Sequence, residues 1–319
     1  MDGRRICHAM CGTVVDSPGT FPIRNTAGRA LNTRCDSRLA HTLLLHVTPH
    51  RDPERQAVTS PSPPPRHAGR ATVPAVYVGC AGWTIPAVHA GRFPEGDSHL
   101  QRYSLVFNCV EINSSFYRPH RPATYARWAA TVPKDFRFAV KMPRAISHQA
   151  RLHDCAPALR TFLAQVDQLG EKLGCLLLQL PPSLDYQRPV ALAFFDELRR
   201  VHEGPVACEP RHASWFAPAV DRHLKDHGIS RVAADPARTP QAAIPAGDPA
   251  LQYLRLHGSP RIYYDSYADA SLCRIALTLR QASSQTTRRW CIFDNTALGH
   301  ATSNALELID RLDASNCSG

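Results

Sequence analysis

No run of apolar residues in this chain of 319 approaches the ~18 that a membrane-crossing helix needs. The richest stretch, Leu43-Leu44-Leu45, is far too short, so no membrane partner is expected. The basic start is not followed by the compact apolar core of a signal peptide. Eleven Cys are present, odd in number and scattered, without a single Cys-x-x-Cys pair. Cys109, Cys175, Cys208 and Cys291 sit in or beside apolar strand-like runs, where a thiol behaves as a small core residue. This usage fits a reducing, cytoplasmic setting. No strand-like run is followed by Gly-x-Gly-x-x-Gly, which removes the ordinary signal for a dinucleotide cofactor.

What is present divides unevenly. Residues 1–74 carry ten Arg against five acids and show no sustained helical or strand period. They close on Pro61-Ser62-Pro63-Pro64-Pro65, a stiff extended stretch. This segment is read as a dispensable, disordered N-terminal extension. From Val76 the pattern changes to alternating strands and helices. Strand-like runs are Val76–Cys80, Leu105–Ile112, Phe136–Lys141, Cys175–Leu180, Val206–Glu209, Ile229–Asp235, Leu251–His257 and Trp290–Asp294. Helical spacing links Leu159, Phe162, Leu163, Val166 and Leu169, then Val190, Phe194, Phe195, Leu198 and Val201, and finally Ala305, Leu308, Ile309 and Leu312. Residues 236–250 are rich in Pro and Ala and predict an irregular connection.

Eight strands alternating with helices over 75–319 predict an α/β fold, a (β/α)8 TIM-type barrel, whose usual size is ~250 residues. A doubly wound open sheet is the alternative, and eight consecutive β–α units exceed what it normally needs. The segment Ala207–Phe216 carries a carboxylate, a guanidinium and an imidazole at a strand's C-terminal end, where such folds place ligands. Strand side chains alternate faces, and the apolar parity packs on the helices. That rule turns Glu111, Asn113, Lys141, Gln179, Glu209, Arg211, Asp235, Arg255 and His257 inward. In the last strand it sends Asp294 away with Trp290 and Ile292, leaving Asn295 to face the mouth. Buried charge is costly unless paired or wetted; the bland alternative is a plug of mutually neutralising charges.

Several segments then resemble one family. They are Val78-Gly79-Cys80-Ala81-Gly82-Trp83, Val110–Tyr117, Gln179-Leu180-Pro181-Pro182, Glu209–Phe216, Arg255-Leu256-His257-Gly258 and Phe293-Asp294-Asn295. Together they resemble the YecE-like family, domain of unknown function 72, over about Val76 to Leu312. The resemblance implies a TIM-type barrel and no established reaction. Cys80-Ala81 stands where the family often has Thr-Ser, which weakens the case for Cys80 as a nucleophile. Phe-Asp-Asn stands where Phe-Asn-Asn is usual.

The inward set points to acid–base chemistry on an anionic, phosphorylated or nucleotide-like substrate, most simply by a hydrolase or lyase. Glu111 or Glu209 serves as general base, and His257 or Lys141 as the proton-donating partner. Arg211 and Arg255 suit two-point recognition of a phosphate or carboxylate. Asn113, Gln179, Asp235 and Asn295 line the substrate site. Trp83, Phe116, Tyr117, Trp215, Tyr263, Tyr264 and Tyr267 form an aromatic rim, and Gly258–Tyr267 is read as a lid. A phosphate is expected against Arg255 and the backbone at Gly258 and Gly299. No cofactor is expected; a divalent ion between Glu111, Glu209, Asp235 and His257 is the alternative, opposed by the neighbouring Lys and Arg. His148, His153, His223 and His227 fall on helices or loops and are read as solvated. A binding module for nucleic acid or a metabolite, without chemistry, is the competing class.

Overall fold

A computed structural model of the protein describes residues 76–281 and 287–314. The expected extension over 1–74 lies outside the described residues. The eight expected strands are all found, with boundaries moved by a few residues. They are β1 (Val76–Cys80), β2 (Cys109–Ile112), β3 (Arg137–Lys141), β4 (Leu173–Gln179), β5 (Val206–Glu209), then β6 (Ile229–Arg231) and β7 (Ala233–Asp235), which share one run, followed by β9 (Leu251–Leu256) and β10 (Arg288–Phe293). The connection over 236–250 holds a 3-10 turn and a two-residue strand, β8 (Ala246–Gly247), antiparallel to β6.

Apart from β8, every pairing is parallel. One sheet runs β1-β10-β9-β7 and the other β2-β3-β4-β5-β6-β8. The run Ile229–Asp235 belongs to both, because β6 pairs with β5 and β7 with β9. At the other junction, Ala81 and Glu111 form a bridge and the Gly82 N–H donates to the Glu111 carbonyl at 3.0 Å. The close approach of β1 to β2 requires Gly79, since a Cβ there would strike the Cys109 carbonyl.

The helices are α1 (His99–Ser104), α2 (Ser114–Tyr117), α3 (Pro122–Thr131), α4 (Ala156–Val166), α5 (Arg188–Val201), α6 (Pro218–Asp226), α7 (Asp269–Arg280) and α8 (His300–Asp313). Four of them, α3 to α6, start with Pro at the first or second position, where its fixed φ is pre-formed for the helix and its missing N–H costs nothing. In α5 the buried residues Ala191, Phe194, Phe195 and Leu198 recur at helical spacing against the sheet.

Two apolar clusters result. One joins helices to strand residues of one parity, such as Val78, Val110, Val140, Leu176 and Leu254. The other comes from the opposite parity and draws on both sheets: Tyr77, Cys109, Ala139, Cys175, Leu177, Ala207, Tyr253, Trp290 and Ile292 among them. Trp290 is stacked between Tyr77 (4.8 Å between ring centroids) and Tyr253 (5.8 Å). This second cluster corrects the parity read for the last strand. Trp290 and Ile292 share the face of Arg255, not of the helices, and Cys291 and Phe293 pack on the helices instead.

Candidate active site

The polar residues begin where this second cluster ends. Arg255, wholly buried on β9, is the hub. Its Nη2 donates to Glu111 Oε1 at 2.6 Å and its Nε to Glu111 Oε2 at 2.9 Å. Its Nη1 reaches Glu209 Oε2 at 2.9 Å, and Nη2 also reaches Asp294 Oδ2 at 3.0 Å. One guanidinium thus binds three carboxylates from β2, β5 and the end of β10. Tyr253 adds a hydroxyl to Glu111 at 2.8 Å, linking the apolar cluster to the charged one.

His257, two residues beyond Arg255 on the same face, lies between two of these acids. Its Nδ1 is 3.0 Å from Asp294 Oδ2 and its Nε2 is 3.1 Å from Glu209 Oε1. Burial lowers its pKa, but Glu209 and Asp294 outweigh it, and the net shift is upward. When protonated, the imidazole donates from both nitrogens to these two carboxylates and has no lone pair to act as a base. Burial likewise works against the Glu209 carboxylate, yet Arg255, Arg211 and His257 hold it well below the usual carboxylate range. Asp294 is lowered too, against burial, by Arg255 and His257. Arg211 closes on Glu209 through Nη2 at 3.2 Å while its side chain stays 23% exposed.

Lys141 is different. It ends β3 on the same side and is 8% exposed, and its ammonium makes no hydrogen bond or ion pair among the described residues. Its ammonium rests on the Phe116 ring, 4.2 Å from the centroid. Burial and Arg255 bring its pKa down to about 8, with Asp294, Glu111 and Glu209 resisting the fall. His148 meets the edge of the same Phe116 ring at 4.9 Å. Burial, Lys141, Arg144 and Arg211 lower its pKa to about 4, so the imidazole is neutral at pH 7. It belongs to a π-helical turn, Ala145–Gln149, and is not the solvated histidine expected.

The structure thus brings together Glu111, Glu209, His257, Lys141, Arg211 and Arg255. Gln179 is buried beside Glu209 in register. Asn113 follows β2, and its buried Oδ1 accepts no hydrogen bond among the described residues. Tyr117 is 66% exposed and packs edge-on against Phe116. Three expectations are corrected. Asp294, expected to turn away, is in the network, while Asn295 is buried outside it and donates to Asp265 and Asn304. Asp235 stands level with Leu256 on the helix-facing side and accepts from the Tyr267 hydroxyl at 3.0 Å, because Val232, not Ala233, belongs to the second cluster. Trp215 is 1% exposed and donates to the Leu184 carbonyl at 2.9 Å, so it packs beneath the loops and is no rim residue. In the segment Gly258–Tyr267, the Tyr267 hydroxyl donates to Asp235, and Asn304 donates to Ser266 and to the Tyr267 carbonyl. Within it Tyr263, at φ 72°, stands edge-on to His257.

The donors expected for a phosphate are engaged internally. Arg255 serves three carboxylates, the Gly258 N–H meets the Tyr267 hydroxyl at 3.0 Å, and the Gly299 N–H meets the Thr296 carbonyl at 3.2 Å. A Cβ on Gly258, at φ 93°, would lie 2.8 Å from the Asp265 carbonyl. The four residues named for a divalent ion do not converge, since Asp235 is elsewhere and the Arg255 guanidinium occupies the space between the acids. Among the described residues no group of three His, Cys, Asp or Glu is arranged to hold a metal. Cys80 faces the helices, and burial pushes its thiol up to about 12. No helix among the described residues is long and apolar enough to cross a membrane.

A family model described as "Protein of unknown function DUF72" matches residues 77–318. The UPF0759 protein YecE of Escherichia coli K12 is 33% identical over 176 residues, 53% of this chain and 62% of that protein. The match thus spans less than two thirds of that relative's length. The UPF0759 protein YunF of Bacillus subtilis is 22% identical over 271 residues, covering 75% of this chain and 95% of YunF. Among solved structures, a DUF72 family protein of Thermotoga maritima superposes with a TM-score of 0.63 at 25% identity, covering 75% of this chain and 99% of that one. Another, from Enterococcus faecalis, gives 0.64 at 22% identity over 76% of this chain and 96% of the other.

Proposed function

The chain belongs to the DUF72 family of proteins of unknown function, and from that premise we propose an enzyme that performs acid–base chemistry on an anionic substrate at the C-terminal ends of its strands. The two sheets are read as closing into one (β/α)8 barrel. The Ala81–Glu111 bridge, the shared run Ile229–Asp235 and an apolar cluster drawn from both sheets support closure. Ligands then bind at the face where the strands end.

The observation that carries the enzymatic reading is Lys141. Around it Glu111, Glu209, Asp294, Arg255 and His257 satisfy one another. Cations hold the Glu209 and Asp294 carboxylates below their usual range, which makes them poor bases. Lys141 alone of this group has no acceptor among the described residues, and its pKa of about 8 lies near working pH, where an acid–base group is most effective. A largely buried ammonium with no ion-pair partner among the described residues calls for an anion, and a phosphorylated or nucleotide-like substrate supplies one, with Arg211 as its second contact. Hydrolase and lyase chemistry both fit.

The test is a panel of phosphorylated and carboxylated metabolites screened by thermal shift, with turnover of any hit followed by NMR. A ligand should raise the Tm of the wild type and lose that effect in both Lys141→Met and Arg211→Met. Stabilisation that survives both substitutions overturns the reading. Nucleic-acid binding is the second reading, favoured by the exposed Tyr117 between Phe116 and the exposed Arg118, an aromatic beside a guanidinium. A steep fall of affinity with salt would select it.

A further inference from the structure

We propose that the Lys141 amine forms a covalent protonated imine with a small aldehyde or ketone that also carries an anionic group. This rests on the acid–base reading of the site and names its substrate class. The chain contains 33 Arg and only four Lys: Lys134, Lys141, Lys172 and Lys225. Where a permanent cation serves, this protein uses Arg, as at Arg255 and Arg211. The site keeps, at the end of β3, a cation that can lose its proton and become a nucleophile.

The surroundings suit that role. The ammonium rests on the Phe116 face, 4.2 Å from the ring centroid, with no hydrogen-bond acceptor among the described residues, so its lone pair is not committed to a neighbour once the proton leaves. The charge balance suits it as well. The carbonyl compound and the Lys141 ammonium combine to give a protonated imine and one water. The C=O double bond breaks and a C=N bond forms. Two of the three ammonium protons leave on the oxygen as water, and the third stays on nitrogen. The positive charge remains at the same place, so the three buried carboxylates keep their counter-charge throughout. Arg211, partly exposed at 23%, is placed to hold the anionic group of the carbonyl compound.

Reductive trapping tests this. Full-length protein is incubated with glyoxylate, pyruvate or acetaldehyde, treated with borohydride, and analysed by intact mass and peptide mapping. One reduced adduct per chain is expected at Lys141, ~10-fold above the other three lysines together. It should be absent without borohydride and absent in Lys141→Arg, which keeps the charge and the fold. Arg211→Met should lower the yield with glyoxylate and pyruvate but not with neutral acetaldehyde. The trapping rate should rise with pH through about 8, with Arg255 promoting proton loss and Asp294, Glu111 and Glu209 opposing it; neutral His148 adds no charge at that pH. Label spread evenly over four lysines, or none at Lys141, overturns the imine. If glyoxylate stabilises the wild type through Lys141 and Arg211 yet leaves no adduct, the imine fails while the acid–base reading stands. If Lys141→Met leaves both stabilisation and labelling unchanged, both fall.

Discussion

The strand face that does not meet the helices has two halves, and they solve burial in opposite ways. Toward the strand starts it is filled by Tyr77, Trp290, Tyr253, Cys109 and Ala139, whose rings stack on one another and leave the buried Trp290 indole N–H without an acceptor among the described residues. Toward the strand ends it holds Glu111, Glu209, Asp294, Arg255, His257 and Lys141. The apolar half gains by removing surface from water. The charged half must offset desolvation with ion pairs, and a network of this kind is retained at little net gain to the fold. That asymmetry is the reason to place function at one end.

The largest expected effect comes from removing the hub. Arg255→Met leaves three carboxylates facing one another and should cost on the order of 3–5 kcal/mol in urea unfolding. The loss should shrink as pH falls, because the stranded acids can take up protons. Trp290→Ala in the apolar half should cost a similar 3–5 kcal/mol, but independently of pH. If both losses are flat with pH, the two halves are not different in kind.

Lys141→Met should do the reverse. A lysine lowered to about 8 destabilises the folded state at neutral pH, so the variant should be more stable at pH 7 by roughly 1–3 kcal/mol. In the wild type this cost is present below pH 8 and disappears as pH rises toward the unfolded value near ~10.4. The other titrating groups act in different windows. Glu209 and Asp294 contribute stability that is complete above ~4 and lost as pH falls through their lowered values. His257 contributes most below ~6.5 and loses it as pH rises through its raised value. Urea midpoints across pH for wild type and Lys141→Met separate these windows; identical alkaline limbs would count against the Lys141 assignment.

Tyr253→Phe cuts the side-chain bond from Tyr253 to Glu111 that joins the halves, and should cost about 1 kcal/mol. The smallest effect should follow Asp235→Asn. Among the described residues its carboxylate accepts from the Tyr267 hydroxyl alone, so a loss within ~1 kcal/mol and unchanged ligand binding are expected. A loss of binding there would return Asp235 to the site.

How much of this was legible in the sequence follows from the same two halves. In β2, β3, β4, β5 and β9 one parity is apolar and the other ends in a charge or amide, so Glu111, Lys141, Gln179, Glu209, Arg255 and His257 could be assigned inward by alternation. In β10 both parities are apolar, Trp290 and Ile292 against Cys291 and Phe293, and alternation cannot choose between them. Asp294 and Asn295 were exchanged for that reason. The run Ile229–Asp235 misled similarly, since it changes partners at Val232. His148 was illegible because a π-helical turn has no sequence period, and its contact with Phe116 spans two loops. The scarcity of lysine was a readable signal, and it singles out Lys141 among few alternatives. That Arg255 already pairs with three carboxylates could not be read from any local window.

That hub also sets an order of events in making the protein. Arg255 lies 144 residues after Glu111, 46 after Glu209 and 39 before Asp294. On a growing chain, β2 and β5 emerge with their carboxylates long before the counter-cation exists, and the third acid follows later still. Non-local closure of this kind slows folding, because the intervening chain must be ordered before the contact forms. The strands made before Arg255 therefore cannot pair their end carboxylates with it during synthesis. Completion of the fold waits for the segment around Asp294, and a ribosome-stalled chain ending between Glu209 and Arg255 should remain open to protease at the ends of β2 and β5.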